Sequence, residues 1–241
     1  MGSSEKSRGG WPLTLSVVIP VYRGGHGLES LYDRICRVAD CNKLQVIFVC
    51  DGCDITSLNI ARKLKSIDSG TVELIDLKQN IGQQAATLMG LAKATGDLVV
   101  TIDDDLQHPP EHIVEMVRKI EGSGADVVYA SFNDLSCGPF RRAGSKVARR
   151  LTMSFLRGIY PRYSSFRLMR SFVAERLAAI DERPLFIDIA IPSITDKITH
   201  TLCRHGKRVY GRSGYSNIKL IALWFSAYTN YRRRQRYENS I

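Results

Sequence analysis

Nowhere in the 241 residues is there a run of about 18 uncharged apolar side chains, the length a helix needs to cross a bilayer. The amino terminus, Met1 to Gly10, lacks the charged stub and apolar stretch of a secretory leader. Neither a spanning helix nor a signal peptide is expected, and a cytoplasmic chain is predicted. The six cysteines (Cys36, Cys41, Cys50, Cys53, Cys137 and Cys203) show no extracellular disulfide spacing, so they are expected to be reduced and to act as core residues. A zinc or redox reading of Cys50-x-x-Cys53 is the weaker one, because Cys50 closes an apolar run. Internal repeats and low-complexity tracts are missing as well. Acidic residues are absent from two long stretches: Arg141 to Arg170 holds nine Lys or Arg and no Asp or Glu, and Arg204 to Arg236 holds nine more with none. The formal net charge of +10 is therefore concentrated in the second half, where it suits nucleic acid, an anionic membrane surface or a phosphorylated substrate.

With 44% hydrophobic residues, the chain can bury the core of one sizeable domain. Leu15–Val21, Gln45–Cys50, Val72–Asp76, Leu98–Ile102 and Asp126–Ala130 are short β-branched runs of the kind that fill a buried parallel strand. Between them, Leu28–Ala39, Ile55–Ile67, Gln83–Ala94 and Pro110–Glu121 carry helical spacing. This alternation predicts an α/β fold, a Rossmann-like and mostly parallel sheet flanked by helices. Such sheets bind ligands beyond the carboxyl ends of their strands, here just after Val21, Cys50, Asp76 and Ile102. From about Gly138 the pattern turns helical and basic, with helices expected over Ser145–Arg157, Ser171–Ile180 and Asp188–His200. The expected division is a disordered tail over residues 1–12, one catalytic domain over 13–217 and an amphipathic basic helix with a tail over 218–241.

The strongest chemical signal is Thr101-Ile-Asp-Asp-Asp-Leu-Gln-His-Pro-Pro110, which follows an apolar strand and precedes a helix. Three successive carboxylates at a strand end repel one another and call for a counter-charge. Mg²⁺ or Mn²⁺ supplies it, since hard cations take carboxylate oxygens and keep positions open for phosphates. In an extended backbone Asp103, Asp105 and Gln107 can face one way while Asp104 points elsewhere. The bland reading is an acidic turn capping the helix at Pro110.

These residues carry a resemblance. Val18-Ile-Pro-Val-Tyr22, Cys50-Asp-Gly52, Asn80-Ile-Gly-Gln-Gln-Ala85, Ala94-Thr-Gly-Asp97, Asp103 to Pro110, Ser165-Phe-Arg-Leu-Met169 and Gly211-Arg-Ser-Gly-Tyr215 resemble the family 2 glycosyltransferases of GT-A fold. Within that family the resemblance is specifically to the dolichyl/polyprenyl-phosphate sugar synthase branch, and it runs from Leu15 to about Asn230. The resemblance implies a nucleotide pocket at Pro20, Tyr22 and Asp51, with Gln84 and Asp104 also on the donor. It implies a Mg²⁺ or Mn²⁺ ion on Asp103, Asp105 and Gln107, with Asp105 at the centre of catalysis. Arg141 and Ser145 would meet the acceptor phosphate, and Arg208 and Arg212 the donor diphosphate, as suits the planar fork of arginine. The sequence departs from the pattern at Arg23-Gly24 in place of Asn-Glu, at Cys50 in place of an Asp, at Phe132 in place of an Arg, and at Pro161-Arg-Tyr163 in place of a segment with Asp.

What the resemblance implies is inverting transfer of a sugar from a nucleoside diphosphate sugar to a polyprenyl phosphate or a lipid-linked glycan, in polysaccharide or glycolipid synthesis. A second reading keeps the donor site and takes a sugar hydroxyl as acceptor, with Asp188 as general base. The bland account of Asp188 is a helix N-cap. A third reading is a degenerate nucleotide-binding scaffold. Binding to nucleic acid is disfavoured, since neither an RNP-type aromatic sheet nor a helix-turn-helix pattern accompanies the charge. His108 and His205 are candidates to touch metal or diphosphate, although incidental loop histidines are commoner. Ile221, Trp224, Phe225, Tyr228 and Tyr231 share one helical face ahead of Arg232–Arg236, which suits either peripheral contact with the inner face of the plasma membrane or a core-packed terminal helix. The sugar, the base and the oligomeric state are left open.

Overall fold

The computed structural model describes residues 13–39, 43–132, 162–180 and 186–204. The elements run β1 (Leu15–Val21), α1 (Gly27–Val38), β2 (Leu44–Cys50), α2 (Ile55–Ile67), β3 (Val72–Asp76), α3 (Gln83–Leu91), β4 (Leu98–Thr101), α4 (His112–Ser123) and β5 (Val127–Phe132). They continue with β6 (Arg167–Arg170), α5 (Ser171–Ala178), α6 (Ile187–Ala190), a 3₁₀ turn (Ile191–Ser193) and β7 (Ile198–Cys203). One seven-stranded sheet has the order β3-β2-β1-β4-β6-β5-β7. Among the described residues the pairs β1·β2, β1·β4, β2·β3 and β5·β7 are parallel, and β6 runs antiparallel to its neighbours β4 and β5.

Every residue of β1 is buried, as expected of a strand covered on both faces. On one face pack Leu28, Leu31 and Ile35 of α1, Ile60 and Leu64 of α2, and Ile113, Met116 and Ile120 of α4. On the other lie Ala86, Leu88 and Leu91 of α3, Val173 and Leu177 of α5, and Ile187 of α6. The i, i+3, i+7 spacing within α1 and α4 puts those side chains on single stripes. Asp54 starts α2 by accepting the Ser57 N–H at 3.0 Å.

The five strands read from apolar runs are present in the expected places, and so are the first four helices. The second half differs from the sequence expectation. Asp188–His200 is not one helix: α6 stops at Ala190, the turn at Ile191–Ser193 contains Pro192, and the chain re-enters the sheet as β7 at Ile198. Proline cannot donate to a continuing helix. Beyond it, Ile198-Thr-His-Thr201 is β-branched enough to pair with Val127–Ala130. The short strand β6 is inserted between β4 and β5, which makes the sheet mixed rather than wholly parallel. The described residues of 162–180 and 186–204 therefore extend the same sheet through β6 and β7. The expected helix over Ser145–Arg157 and the segment 218–241 lie outside the described residues, and among those described no helix is long and apolar enough to cross a membrane.

Candidate active site

The parallel strands β1, β2 and β4 end side by side, and their following loops meet at one edge of the sheet. Pairing between β1 and β4 stops at Val18↔Thr101. Pro20, two residues further on and on the same side of the ladder, therefore stands beyond the end of β4, where its missing N–H costs no sheet bond. Tyr22 follows at the mouth, 42% exposed, with the Arg23 guanidinium 5.0 Å from its ring centroid.

Asp51 follows β2 and is buried. Its Oδ1 accepts the N–H of Ile81 at 2.6 Å and its Oδ2 that of Gly82 at 3.0 Å, while its carbonyl accepts from Asn80 Nδ2 at 3.1 Å. Asp51 thus shapes the loop that starts α3. Gly52 has φ +58°, and a Cβ there would sit 2.7 Å from the Asn80 nitrogen, so the close approach of these two loops requires glycine.

The three consecutive aspartates after β4 take different roles. Asp103 Oδ1 accepts from Gln83 Nε2 at 2.6 Å and its Oδ2 from Ser165 Oγ at 2.7 Å. Asp104 turns toward the β1 loop, where its Oδ2 accepts the N–H of Tyr22 at 3.0 Å and of Arg23 at 3.3 Å. A Cβ on Gly24 would stand 3.0 Å from that same oxygen, so the absence of a side chain at position 24 makes room for this carboxylate. Burial pushes the Asp104 carboxyl up to about 6, the two N–H donors pull it down, and repulsion from Asp103 and Asp105 raises it further. Asp105 Oδ1 accepts the Gln107 N–H at 3.0 Å across Leu106, a buried non-glycine residue held at φ +61°. Such a left-handed residue stores backbone strain at the loop, on the order of 1 kcal/mol or more.

Asp103 and Asp105 present hard oxygen donors whose charge is felt by a neighbouring carboxylate, a donor set that fits Mg²⁺ or Mn²⁺. Among the described residues no three His, Cys, Asp or Glu side chains gather into a cage that could hold a metal.

Other expected residues fall in different places. Gln84 Oε1 accepts the Ile187 N–H at 3.2 Å and so ties α3 to α6, whereas its neighbour Gln83 is the one that reaches Asp103. Asp188 is not an N-cap: Phe186 holds that position, without a side-chain bond. The Asp188 carboxylate is buried, accepts the Tyr129 hydroxyl at 2.9 Å and pairs with the Nη1 of Arg167. His108 is no loop ornament. It is 7% exposed, stacked 5.1 Å from Phe132 and 5.4 Å from Phe166, with Nδ1 3.6 Å from Asp103 Oδ2. Phe132, which stands where the resemblance expects arginine, is thus part of an aromatic stack. Cys50 and Cys203 are buried free thiols, and burial pushes Cys203 up to about 12, which keeps it inert. Arg141, Ser145, His205, Arg208 and Arg212 lie outside the described residues.

Gln83, Thr101, Ser165 and Arg167 lie within motifs that the sequence singles out, but their roles here, and that of Tyr129, are not legible from it. Ser165 and Arg167 belong to Ser165-Phe-Arg-Leu-Met169, a segment already singled out, but their partners are 62 and 66 residues away in the chain.

The chain is similar to known proteins in sequence and in fold. The chain is 33% identical over 223 residues to an undecaprenyl-phosphate 4-deoxy-4-formamido-L-arabinose transferase of Pseudomonas fluorescens, across 89% of this chain and 64% of the relative. It is 32% identical to the protein of the same name from Proteus mirabilis, covering 89% of this chain and 67% of that one. The chain thus spans about two thirds of the length of these relatives. A mannosyltransferase from Pyrobaculum calidifontis, solved with GDP-Man and Mn²⁺, superposes with a TM-score of 0.62 at 17% identity, over 84% of this chain and 59% of that one. Glucosyl-3-phosphoglycerate synthase from Mycobacterium tuberculosis, solved with Mn²⁺, UDP and its product, does so with 0.63 at 22%, over 90% and 77%. These likenesses establish the GT-A type of α/β fold. The glycosyl transferase family 2 model matches residues 16–178, a span that holds every strand of the crevice and all three aspartates, and the chain belongs to that family.

Proposed function

We propose that the chain transfers a sugar from a nucleoside diphosphate sugar to a polyprenyl phosphate or a lipid-linked glycan, with inversion at the anomeric carbon, in surface polysaccharide or glycolipid synthesis. The observation that carries this reading is the placement of Asp103 and Asp105 at the carboxyl end of β4, in the crevice where Asp104 fastens the Tyr22 loop. The named relatives act on undecaprenyl phosphate, which supports the lipid-phosphate acceptor.

In this reading Tyr22, Pro20 and the loop shaped by Asp51 receive the nucleotide, and Asp103, Asp105 and Gln107 hold Mg²⁺ or Mn²⁺. When bound, the ion offsets the charge of the departing diphosphate. Gln83 and Ser165 hold the Asp103 carboxylate in place, and Asp104 keeps the base-side loop against the metal-side loop. The acceptor oxygen attacks the anomeric carbon while the bond from that carbon to the diphosphate breaks, and the electron pair leaves with the diphosphate. A phosphate acceptor is already an anion and needs no general base. The burial of Asp188 against Arg167 and Tyr129 weighs against the alternative with a hydroxyl acceptor and Asp188 as base. Arg141 and Ser145 are assigned to the acceptor phosphate and Arg208 and Arg212 to the donor diphosphate. The basic second half would rest against anionic headgroups on the inner face of the plasma membrane.

The test is thermal stabilisation of the protein by UDP-, GDP- or dTDP-sugars with Mn²⁺ or Mg²⁺. One nucleotide sugar should raise the melting temperature only with the ion present, and Asp105→Ala should abolish the effect. The absence of any such stabilisation in the unaltered protein would sink the reading. Transfer of label from the selected donor to undecaprenyl phosphate, or to a lipid-linked glycan, then decides the acceptor.

A further inference from the structure

Across β4, β6 and β5 the register sets Thr101 opposite Arg167 and Arg167 opposite Tyr129, a buried polar row next to the apolar rows Val100, Leu168, Val128 and Val99, Met169, Val127. Arg167 is 1% exposed. Removing a guanidinium from water is costly even when it is paired, and apolar residues at such positions are commonly as stable or more so. Stability alone therefore gives little reason for this row.

Its hydrogen bonds lead out of the core. Asp188 of α6 accepts from Tyr129 and pairs with Arg167. Arg167 Nε donates to Thr101 Oγ1 at 3.1 Å. The Thr101 hydroxyl has a single proton, which goes to the Ser165 carbonyl at 2.6 Å, so its lone pair is oriented toward Arg167. Ser165 Oγ in turn donates to Asp103 Oδ2 at 2.7 Å, opposite the Gln83 bond to Oδ1. Both oxygens of Asp103 are held from opposite sides, one by α3 and one by the segment entering β6.

We infer that Arg167, Thr101 and Ser165 form a positioning chain that sets the orientation of the Asp103 carboxylate from the buried Arg167–Asp188 pair. The inference rests on the reading of Asp103 as part of the metal and diphosphate site. Groups of this kind orient a ligand before the ion arrives, and their loss typically weakens metal affinity by about 10–100-fold. Thr101 and Ser165 are thus positioning residues that act through Asp103. Asp188 belongs to the same device as its buried counter-charge.

The experiment uses the full chain with Thr101→Val, which keeps shape and strand preference but removes the hydroxyl, together with Thr101→Ser and Ser165→Ala. Two quantities are read: the melting temperature of the metal-free protein, and the Kd for Mn²⁺ from electron paramagnetic resonance of the free ion, with the nucleotide that stabilises the unaltered protein. Thr101→Val and Ser165→Ala are each expected to raise the Mn²⁺ Kd by about 10–100-fold. Thr101→Ser restores it, and the Thr101→Val, Ser165→Ala double variant is no weaker than the worse single one, because both break the same chain. A melting temperature that falls while the Kd stays unchanged overturns the inference, as do independent, multiplying effects. Should Thr101→Val not fold, Ser165→Ala at its half-buried position carries the same two readouts. No Mn²⁺ binding by the unaltered protein would instead overturn the reading of the site itself, and the inference with it.

Discussion

Arg167 and Asp188, 21 residues apart in sequence, form an ion pair in which both side chains are almost completely removed from solvent. Burial alone would lower the pKa of the guanidinium, and the adjacent carboxylate more than reverses that. The Tyr129 hydroxyl, which shares Asp188, is raised well above its ordinary value by burial and by that negative charge. The pair fastens β6 to α6 at the side of the crevice.

Removing one partner leaves a bare charge in the core. Arg167→Met is expected to destabilise the protein by about 3–5 kcal/mol. Combining it with Asp188→Leu should recover a large part of the loss. Urea denaturation of the two single variants and the double variant measures the coupling. Strict additivity would show that the ion pair is not the source of the effect.

Asp188→Asn separates the two acceptor chemistries once folding is accounted for. With a phosphate acceptor, turnover per folded molecule at saturating Mn²⁺ and donor stays near that of the unaltered protein, and the disturbed Arg167 chain shows only as a higher Mn²⁺ Kd. With a hydroxyl acceptor and Asp188 as base, it falls by about 10²–10⁴-fold. Activity must be normalised to the folded fraction from circular dichroism, because the substitution also disturbs the partner of Arg167.

The Asp104 carboxyl predicts a pH dependence with a definite sign. Its value is raised from the usual 3.8 to about 6, chiefly by burial. The folded state therefore holds the proton more tightly, and its contribution is fully present below about pH 4 and is lost as the pH rises through 6. A shift of this size corresponds to something on the order of 3 kcal/mol. In chelator, Asp104→Asn should equal the unaltered protein near pH 4 and exceed its stability at pH 7. Parallel stability curves from pH 4 to 7 would refute this.

Gly52→Ala tests the contact between the loops after β2 and β3. The added Cβ meets the Asn80 backbone nitrogen at 2.7 Å, in a left-handed conformation that alanine disfavours. A loss of about 1–3 kcal/mol is expected, with weaker nucleotide binding because the loop held by Asp51 shifts. Calorimetric titration with the selected nucleotide checks the second part, and unchanged affinity would remove this loop from the donor site.

The alternation of apolar runs with helical spacing was enough to place β1 to β5 and α1 to α4. Each of those elements carries its own periodicity, and the central strands β1 and β4 are buried along their whole length. The aspartates after β4 were legible for the same reason, since their chemistry and the strand ahead of them are contiguous in sequence. The tertiary structure alone decided what pairs with what. Nothing local to Arg167 says that it enters the sheet antiparallel between β4 and β5, and nothing local to Asp188 says that its counter-charge lies in strand β6. Likewise Gln83 rather than Gln84 reaches Asp103, because the start of α3 turns one side chain toward β4 and the next toward α6. Local periodicity sets which face of an element is apolar. Which buried polar atoms meet depends on contacts between distant segments, and those form only when the whole sheet closes.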